Sequence, residues 1–188
     1  MEIGLGLVIV LGIIVIAVLI FVGIYNGLIR SRNQVDNGWS QIDVQLKRRH
    51  DLIPNLVETA RGYMKHEQET FKAITAARAN ALGAKNVKDA SAAEGALGQA
   101  LSQFLLTVEN YPDLKANQNF LALQEELAST ENKISFSRQN YNDQVLAYNN
   151  KIQMFPSNIV AGMFNFTKRD FFEIEIAAER EVPKVSFQ

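Results

Sequence analysis

The sequence of 188 residues contains no cysteine, only two histidines and only four prolines. Because cysteine is absent, the chain can form no disulfide bond, no thiolate zinc site, no iron–sulfur cluster and no cysteine nucleophile. The formal net charge of −1 argues against a nucleic-acid partner, since proteins that bind nucleic acids neutralise phosphates with an excess of basic side chains. The scarcity of proline leaves long stretches free to be helical. The length allows one modest soluble domain beside a membrane segment.

An uncharged apolar run covers residues 3–29. As a helix, 27 residues extend about 40 Å, which exceeds the ~30 Å hydrocarbon core of a bilayer. The run lacks the positively charged start and the small-residue cleavage site of a signal peptide. It therefore predicts a retained transmembrane anchor over residues 1–29. No ionisable side chain lies inside the run, so it offers no proton relay or ion pathway.

The charges that flank this run predict its orientation. Arg30, Arg32 and the basic residues 47–49 follow it, whereas Glu2 is the only charge before it. Because positive charges close to a span stay on the cytoplasmic side, the N-terminus is expected outside and the C-terminal domain in the cytoplasm. The same residues Arg30 and Arg32 are the expected contacts of the domain with lipid headgroups.

Three residues near the end of the run are further candidates for an anchor function. Tyr25 stands where an interfacial aromatic residue is expected. Gly23 and Gly27 form a small-xxx-small pair that would let two anchors approach closely, or they reflect the general frequency of glycine in membrane helices.

Helical spacing of apolar residues continues beyond the anchor. The apolar positions are Val35, Trp39, Ile42, Leu46, Ile53, Leu56 and Ala60. Pro54 removes one backbone donor and its ring crowds the carbonyl of His50, so a kink is predicted there. The pattern predicts that this first helix extends to about Leu82, with Gly83 as its C-cap.

Two further long helices are predicted. Ser91 and Glu94 have the spacing of a capping box, which predicts the start of the second helix, and Pro112 is expected to end it. The third helix is predicted from residue 119 to residue 155, and Pro156 ends it. Together these segments predict an all-α protein, with an antiparallel three- to four-helix bundle over residues 30–156.

Residues 157–188 have a different, strongly apolar character. Ser157 is expected to cap a short fourth helix, and the segment either closes the open end of the bundle or forms a binding surface. Val185 and Phe187 alternate like an added strand or a docking peptide. Insertion of this segment into the anchor's membrane is not expected, because up-down-up connectivity places the end of the third helix far from the anchor.

Several blocks of sequence resemble the LemA family of bacterial membrane-anchored helical proteins, in the family's order and over nearly the whole chain. They are VDNGWSQIDVQLKRRHDLIPNLVET (35–59), ENYPDLKAN (109–117) with Phe120, LQEEL (123–127), YND (141–143) with Tyr148 and Asn149, FPSN (155–158) and PKVSF (183–187). Gly38 departs from the resemblance, since a small residue such as alanine is expected there.

The resemblance implies an outside N-terminus, one pass through the bacterial inner membrane and a cytoplasmic helical bundle. It implies no catalytic reaction, but links such proteins to membrane stress and to membrane zinc metalloproteases of the HtpX type. The expected function is a non-enzymatic scaffold that oligomerises or docks a membrane protein. The alternative is an adaptor that binds an HtpX-type metalloprotease directly.

No catalytic, cofactor, metal or small-molecule site is predicted, and His50 and His66 do not form an H-E-x-x-H motif. Arg48 or Arg49 is expected to form ion pairs on a neighbouring helix or subunit, with Glu125 and Glu126 as available partners. The residues predicted for packing or an interface are Trp39, Arg48, Arg49, Tyr141 and Tyr148, with Phe164, Phe166, Phe171 and Phe172 for association.

Overall fold

The computed structural model describes residues 2–173, with side chains from residue 6 onward. Within that part the protein contains six α-helices and no strand. The helices are α1 (Glu2–Arg61), α2 (Gln68–Leu82), α3 (Val87–Val108), α4 (Pro112–Lys115), α5 (Gln118–Gln153) and α6 (Ser157–Met163). The predicted all-α class is therefore confirmed. Val185 and Phe187, predicted to alternate like a strand, lie outside the described residues.

The first part of α1 is long and apolar enough to cross a membrane. From residue 6 to residue 20 every side chain is exposed. Exposed leucine, isoleucine and valine on all sides of a helix are unfavourable in water, but they are the expected surface of a helix solvated by lipid. This helix therefore indicates a membrane location.

The chain divides into two compact units. Unit 1 contains residues up to 41 together with residues 139–169, and unit 2 contains residues 42–138 together with residues from 170 onward. In unit 1, Lys151 on α5 donates a hydrogen bond to the carbonyl of Gly27 on α1, at 2.8 Å. Tyr141 on α5 lies against Gly38 on α1. The two helices therefore run in opposite directions within this unit.

Gly38 has a structural reason to be glycine. A Cβ atom at this position would lie 3.3 Å from the Cα atom of Tyr141. The missing side chain therefore allows the backbones of α1 and α5 to approach closely, and the ring of Trp39 packs edge-on against Tyr141 with centroids 5.8 Å apart. Gly38, which stands where alanine was expected, therefore lies at a close contact between α1 and α5.

Unit 2 has a single apolar core to which five helices contribute. Phe104 of α3 is fully buried, and its ring lies 6.1 Å from that of Phe71 and 6.3 Å from that of Phe120. The other core residues include Ile53, Leu56, Val57, Ala60, Ile74, Leu97, Leu101, Val108, Leu114 and Leu127. Their spacing of three and four residues on each helix is the pattern that the sequence showed.

The prediction of one helix from the membrane to Leu82 is wrong. α1 ends at Arg61, and α2 begins at Gln68. Gly62 favours the break because glycine is a poor helix former, and the amide of Met64 still bonds to the carbonyl of Ala60. Met64 is fully buried in the turn. Its side chain continues the apolar spacing across the break, so periodicity alone predicted a continuous helix.

The predicted capping box is also wrong. α3 begins at Val87, and its N-cap is Asn86, whose side chain accepts a hydrogen bond from the amide of Asp89 at 2.8 Å. Ser91 and Glu94 lie inside the helix and are buried. Asparagine caps helices as well as serine does, and the motif S-x-x-E has no local feature that distinguishes a cap from a buried polar pair.

The remaining helix ends differ by a few residues from the predicted ones. α3 ends at Val108, four residues before Pro112, which instead begins the short helix α4. α5 ends at Gln153, so Phe155 lies beyond it and is exposed. Ser157 is the first residue of α6 but not its cap, because its hydroxyl group shares its hydrogen between the carbonyls of Lys151 in α5 and Met154 just after α5.

Pro54 lies inside α1 without ending it. Proline has no amide hydrogen, so the carbonyl of His50, four residues earlier, loses its usual helical donor. The guanidinium of Arg78 on α2 replaces that donor, with its Nε atom 2.7 Å from the His50 carbonyl oxygen. A side chain of the neighbouring helix therefore supplies the hydrogen bond that Pro54 removes.

This replacement leads to a testable prediction. Arg78→Met is expected to lower the free energy of unfolding by about 1–3 kcal/mol, because it leaves the His50 carbonyl without its donor. In a Pro54→Ala background the same change is expected to cost less, since the alanine amide can bond to that carbonyl. A double-mutant cycle measured by urea unfolding in detergent at pH 8 tests the coupling. Equal costs of Arg78→Met in both backgrounds would contradict it.

Candidate functional site

Unit 2 contains a group of interacting polar side chains, Arg49, His50, Glu94 and Glu131, which we term the Arg49 cluster. The first three are buried, whereas the Glu131 side chain is 42% exposed. The Nη2 atom of Arg49 donates to the carboxylate of Glu94, and its Nη1 atom donates to both carboxylate oxygens of Glu131 at 2.8 and 3.0 Å. The Nε2 atom of His50 lies 2.7 Å from Glu94 Oε1. Arg49 and Glu94 are each only 2% exposed.

Helix geometry separates two adjacent arginines. Consecutive residues of a helix point about 100° apart, so Arg49 enters the interior of unit 2 while Arg48 remains on its surface. Arg48 forms an ion pair with Glu126 at 2.6 Å, and both side chains are about half exposed. Glu126 was one of the two expected partners. Glu125 forms no ion pair among the described residues, and Arg49 binds Glu94 and Glu131 instead.

His50 is held neutral within the Arg49 cluster. Burial, followed by the positive charges of Arg49 and Arg78, lowers its pKa from the ordinary 6.5 to about 4. Burial disfavours the protonated imidazole because a buried cation is poorly solvated, and the two guanidinium groups disfavour it by charge repulsion. At neutral pH the carboxylate of Glu94 therefore accepts hydrogen bonds from one cation and one neutral imidazole.

A buried histidine beside a carboxylate has the chemistry of a general acid–base pair, but it also needs access to a substrate. Three surface cavities of unit 2 have volumes of about 730, 590 and 620 Å³. They lie beside Phe71, Ser91 and Phe136, and none of the three is lined by Arg49, His50 or Glu94. Over residues 2–173, no three His, Asp or Glu side chains gather in a group that could hold a metal ion. The burial of Arg49 and Glu94 favours a structural role for the Arg49 cluster.

A second candidate region lies in unit 1, where the residues after α6 contact α1. The ring of Phe164 lies 6.0 Å from that of Phe21 and 4.7 Å from that of Tyr25. Phe166 contacts Tyr25 at 6.1 Å, and the guanidinium of Arg32 lies 5.6 Å from the Phe166 centroid. Phe21 and Tyr25 belong to the uncharged apolar run.

The expectation that this segment lies far from the anchor is therefore wrong. Because α1 and α5 run in opposite directions in unit 1, the end of α5 returns to the apolar part of α1, and α6 follows it there. Lys151, in the last turn of α5, contacts both the Gly27 carbonyl and the hydroxyl group of Ser31, at 2.8 and 3.1 Å.

Hydrogen bonds between side chains of α5 and backbone groups fix the segment after α6 to α5. The amide side chain of Asn149 donates to the carbonyl of Arg169 and accepts from its amide, both at 2.9 Å. The hydroxyl group of Tyr148 donates to the carbonyl of Thr167 at 3.0 Å, and burial raises the pKa of Tyr148 above its ordinary value. Arg169 also forms an ion pair with Asp36. Residues 164–169 are thus attached to both helices of unit 1.

The structure distributes the predicted site residues between the two units. In unit 1 it brings together Trp39 with Tyr141, and Tyr25 and Arg32 with Phe164 and Phe166. Phe171 and Phe172 belong to unit 2, where Phe172 is fully buried and Phe171 is 36% exposed. A Cβ atom at Gly23 would meet no atom of the chain within 4 Å, whereas one at Gly27 would meet Lys151. Arg30 is exposed.

The sequence did not identify Glu94, Glu131, Asn149 or Lys151. The sequence did contain an indication that Glu94 is buried, because the apolar seam of α3 passes through Leu97 and Leu101 and places Glu94 on the same side. That position was assigned to a helix cap instead. Asn149 also adjoins the seam residue Tyr148, but a polar side chain beside a seam residue does not by itself predict a buried hydrogen bond.

The sequence model of the LemA family matches residues 38–187. This chain belongs to the LemA family. Protein LemA of Metamycoplasma hominis is 30% identical to it over 168 residues, which cover 88% of this chain and 74% of the relative. The matched region includes the Arg49 cluster and residues 164–169, whereas the α1 residues that this segment contacts, Phe21, Tyr25 and Arg32, lie before it.

Two more distant relatives carry the name of another protein. Magnetosome protein MamQ 2 of Paramagnetospirillum magneticum is 22% identical to this LemA-family chain, covering 84% of it and 68% of the relative. Magnetosome protein MamQ of Magnetospirillum gryphiswaldense is 21% identical with the same coverage. None of these names is that of an enzyme, which is consistent with a membrane-associated protein that does not act by catalysis.

Proposed function

We propose that this LemA-family protein is a non-enzymatic scaffold of the bacterial inner membrane. In this proposal its helices form an antiparallel three- to four-helix bundle that docks an integral membrane protein and assembles into a homo-oligomer. The observation that supports it best is the direct attachment of α5 to the apolar helix in unit 1, through Lys151 and the Gly27 carbonyl. A flexible tether would leave the position of α5 beside the apolar helix undefined, whereas this contact defines it.

The topology in this proposal follows from charge. Arg30, Arg32 and residues 47–49 lie within about 20 residues of the apolar run, and the positive-inside rule places them in the cytoplasm. The N-terminus is then outside, and Lys151 and Arg169 lie on the cytoplasmic side.

Unit 2 offers a surface suited to a protein partner. Phe136 is 76% exposed and lines the cavity of about 620 Å³ together with Gln45 and Lys133. An exposed aromatic ring at the edge of a surface cavity is typical of an interface hot spot. The first candidate partner is a membrane zinc metalloprotease of the HtpX type, which would make this protein an adaptor.

Affinity purification of the tagged full-length chain in mild detergent tests the proposal. We expect a stoichiometric membrane protein by mass spectrometry, and a native mass above that of one copy. Phe136→Ala is expected to reduce partner recovery several-fold without changing the melting temperature. Leu106→Ala, which removes another exposed apolar side chain of unit 2, is the matched control and should retain the partner. A monomeric particle with no stoichiometric partner would overturn the proposal.

A further inference from the structure

A short uncharged segment of unit 1 exposes an unusual amount of apolar surface. Residues 152–167 contain no charged side chain and lie between Lys151 and Lys168. Five large apolar side chains in this segment are between 48% and 79% exposed. They are Met154, Phe155, Ile159, Met163 and Phe164, and we term them the α6 surface.

The helix α6 has apolar residues on both of its faces. Val160 and Ala161 are buried against the rest of the protein, whereas Ile159 and Met163 point outward. A surface helix in water normally presents charged or polar side chains on its outer face. The outer face of α6 also carries the exposed Asn158 but no charged residue. Large exposed apolar side chains without a neighbouring charge indicate that something other than water covers this face.

The position of the α6 surface beside the apolar run of α1 indicates what covers it. Phe164 belongs to this surface, and its ring contacts those of Phe21 and Tyr25 in the apolar run of α1. Along α1, side chains are exposed on all sides up to residue 20, and Phe21 is the first one that is partly covered. The α6 surface is therefore continuous with the part of α1 that lipid must surround.

The length of the uncharged run in α1 indicates how deep the α6 surface lies in the bilayer. A bilayer core of ~30 Å requires about 20 helical residues, and the uncharged run over residues 3–29 is longer than that by about one third. A span that begins near residue 3 leaves the hydrocarbon near Val22, beside the rings of Phe164 and Tyr25. If the span begins later, its boundary moves towards residue 29 and the α6 surface lies deeper.

The charges around this surface match a membrane interface. Arg32 lies over the ring of Phe166, and Lys151 bonds to Gly27 and Ser31 just beyond the boundary. Lys168 and Arg169 follow the uncharged segment. Cations at the edge of an exposed apolar face favour the headgroups of anionic lipids, and the apolar side chains favour the acyl chains beneath them.

We propose that the α6 surface is a second membrane contact, which inserts into the leaflet that α1 leaves and lies parallel to the bilayer. The occupant is lipid, not a protein. This contact would fix the rotation of unit 1 about the axis of α1, which a single span leaves free. It requires α1 to be the membrane span and is independent of the protein partner proposed above.

The absence of cysteine allows a direct test with single labels. Ile159→Cys and Met163→Cys in the full-length chain are each labelled with the environment-sensitive fluorophore NBD and reconstituted in vesicles of phosphatidylethanolamine and phosphatidylglycerol. Leu19→Cys, within the apolar run, is the lipid-exposed control. Leu146→Cys is the matched aqueous control, because Leu146 is an exposed apolar residue of unit 1 that lies about 7.5 Å before Lys151 on α5.

Labels at residues 159 and 163 are expected to be quenched by lipids with a nitroxide near the headgroup, and to be several-fold less accessible to iodide than the label at residue 146. Iodide quenching equal to that at residue 146 would overturn the proposal, because the surface would then face water. Protection from iodide without quenching by nitroxide lipids would also overturn it, since a protein would then cover the surface.

Discussion

Replacing Arg49 with methionine is expected to lower the free energy of unfolding by about 3–5 kcal/mol. The guanidinium of Arg49 compensates the buried carboxylate of Glu94, and both side chains are only 2% exposed. Methionine fills a similar volume but carries no charge, so Glu94 would remain buried with only the neutral imidazole of His50 as a partner. An uncompensated buried carboxylate is far more costly than the loss of a surface ion pair.

The neighbouring residue provides the matched control. Arg48→Met removes the same side chain one position earlier in the same helix, but from an ion pair with Glu126 that is about half exposed. Its expected cost is less than about 1 kcal/mol. Urea unfolding of the full-length chain in detergent, followed by helical circular dichroism, measures both variants. Similar costs for the two replacements would show that the burial of Arg49 does not determine its contribution.

A double variant separates the charge from the packing. Arg49→Met combined with Glu94→Leu removes both buried charges and leaves apolar side chains of similar size. It is expected to be more stable than Arg49→Met alone, because replacing a buried pair by apolar residues is often neutral. If the double variant is no more stable than Arg49→Met alone, the uncompensated charge of Glu94 is not the cause of the loss.

The sequence predicted the elements more successfully than their connections. Apolar spacing correctly predicted α5 and the continuation of α1 through Pro54, because each of these helices buries one continuous stripe. It could not show the break at residues 62–67, where the buried side chain of Met64 keeps the spacing. That missed turn adds one reversal of chain direction, and it explains why the sequence placed the end of α5 far from the anchor.

The candidate sites were predictable only in part. The apolar character of residues 159–172 was visible in the sequence, but the position of Phe164 and Phe166 beside Tyr25 depends on how many times the chain reverses. The Arg49 cluster was less visible, because its members are separated by up to 82 residues and only their tertiary positions bring them together. Local charge spacing identified Arg48 and Arg49 equally, and it is burial that distinguishes them.

Lowering the pH from 6.5 towards 4 is expected to destabilise the protein through His50. In the folded protein its pKa is about 4, and its ordinary value, which applies to the unfolded chain, is 6.5. Between these values the unfolded chain binds a proton at this residue and the folded protein does not, so acid favours unfolding. At pH 5 the expected loss is about 2 kcal/mol relative to pH 7.5, at about 1.4 kcal/mol for each pH unit below 6.5.

Two glutamine variants isolate this effect. His50→Gln removes the titrating group and keeps a donor for Glu94, so the loss of stability between pH 7.5 and pH 5 is expected to become smaller by about that amount. His66→Gln changes the other histidine, which is exposed, and should retain the full loss. All three proteins carry the same carboxylates, so the comparison is between the two histidines. If both variants lose as much stability as the parent chain, His50 is not the group that couples folding to pH, and its neutral state within the Arg49 cluster would be contradicted.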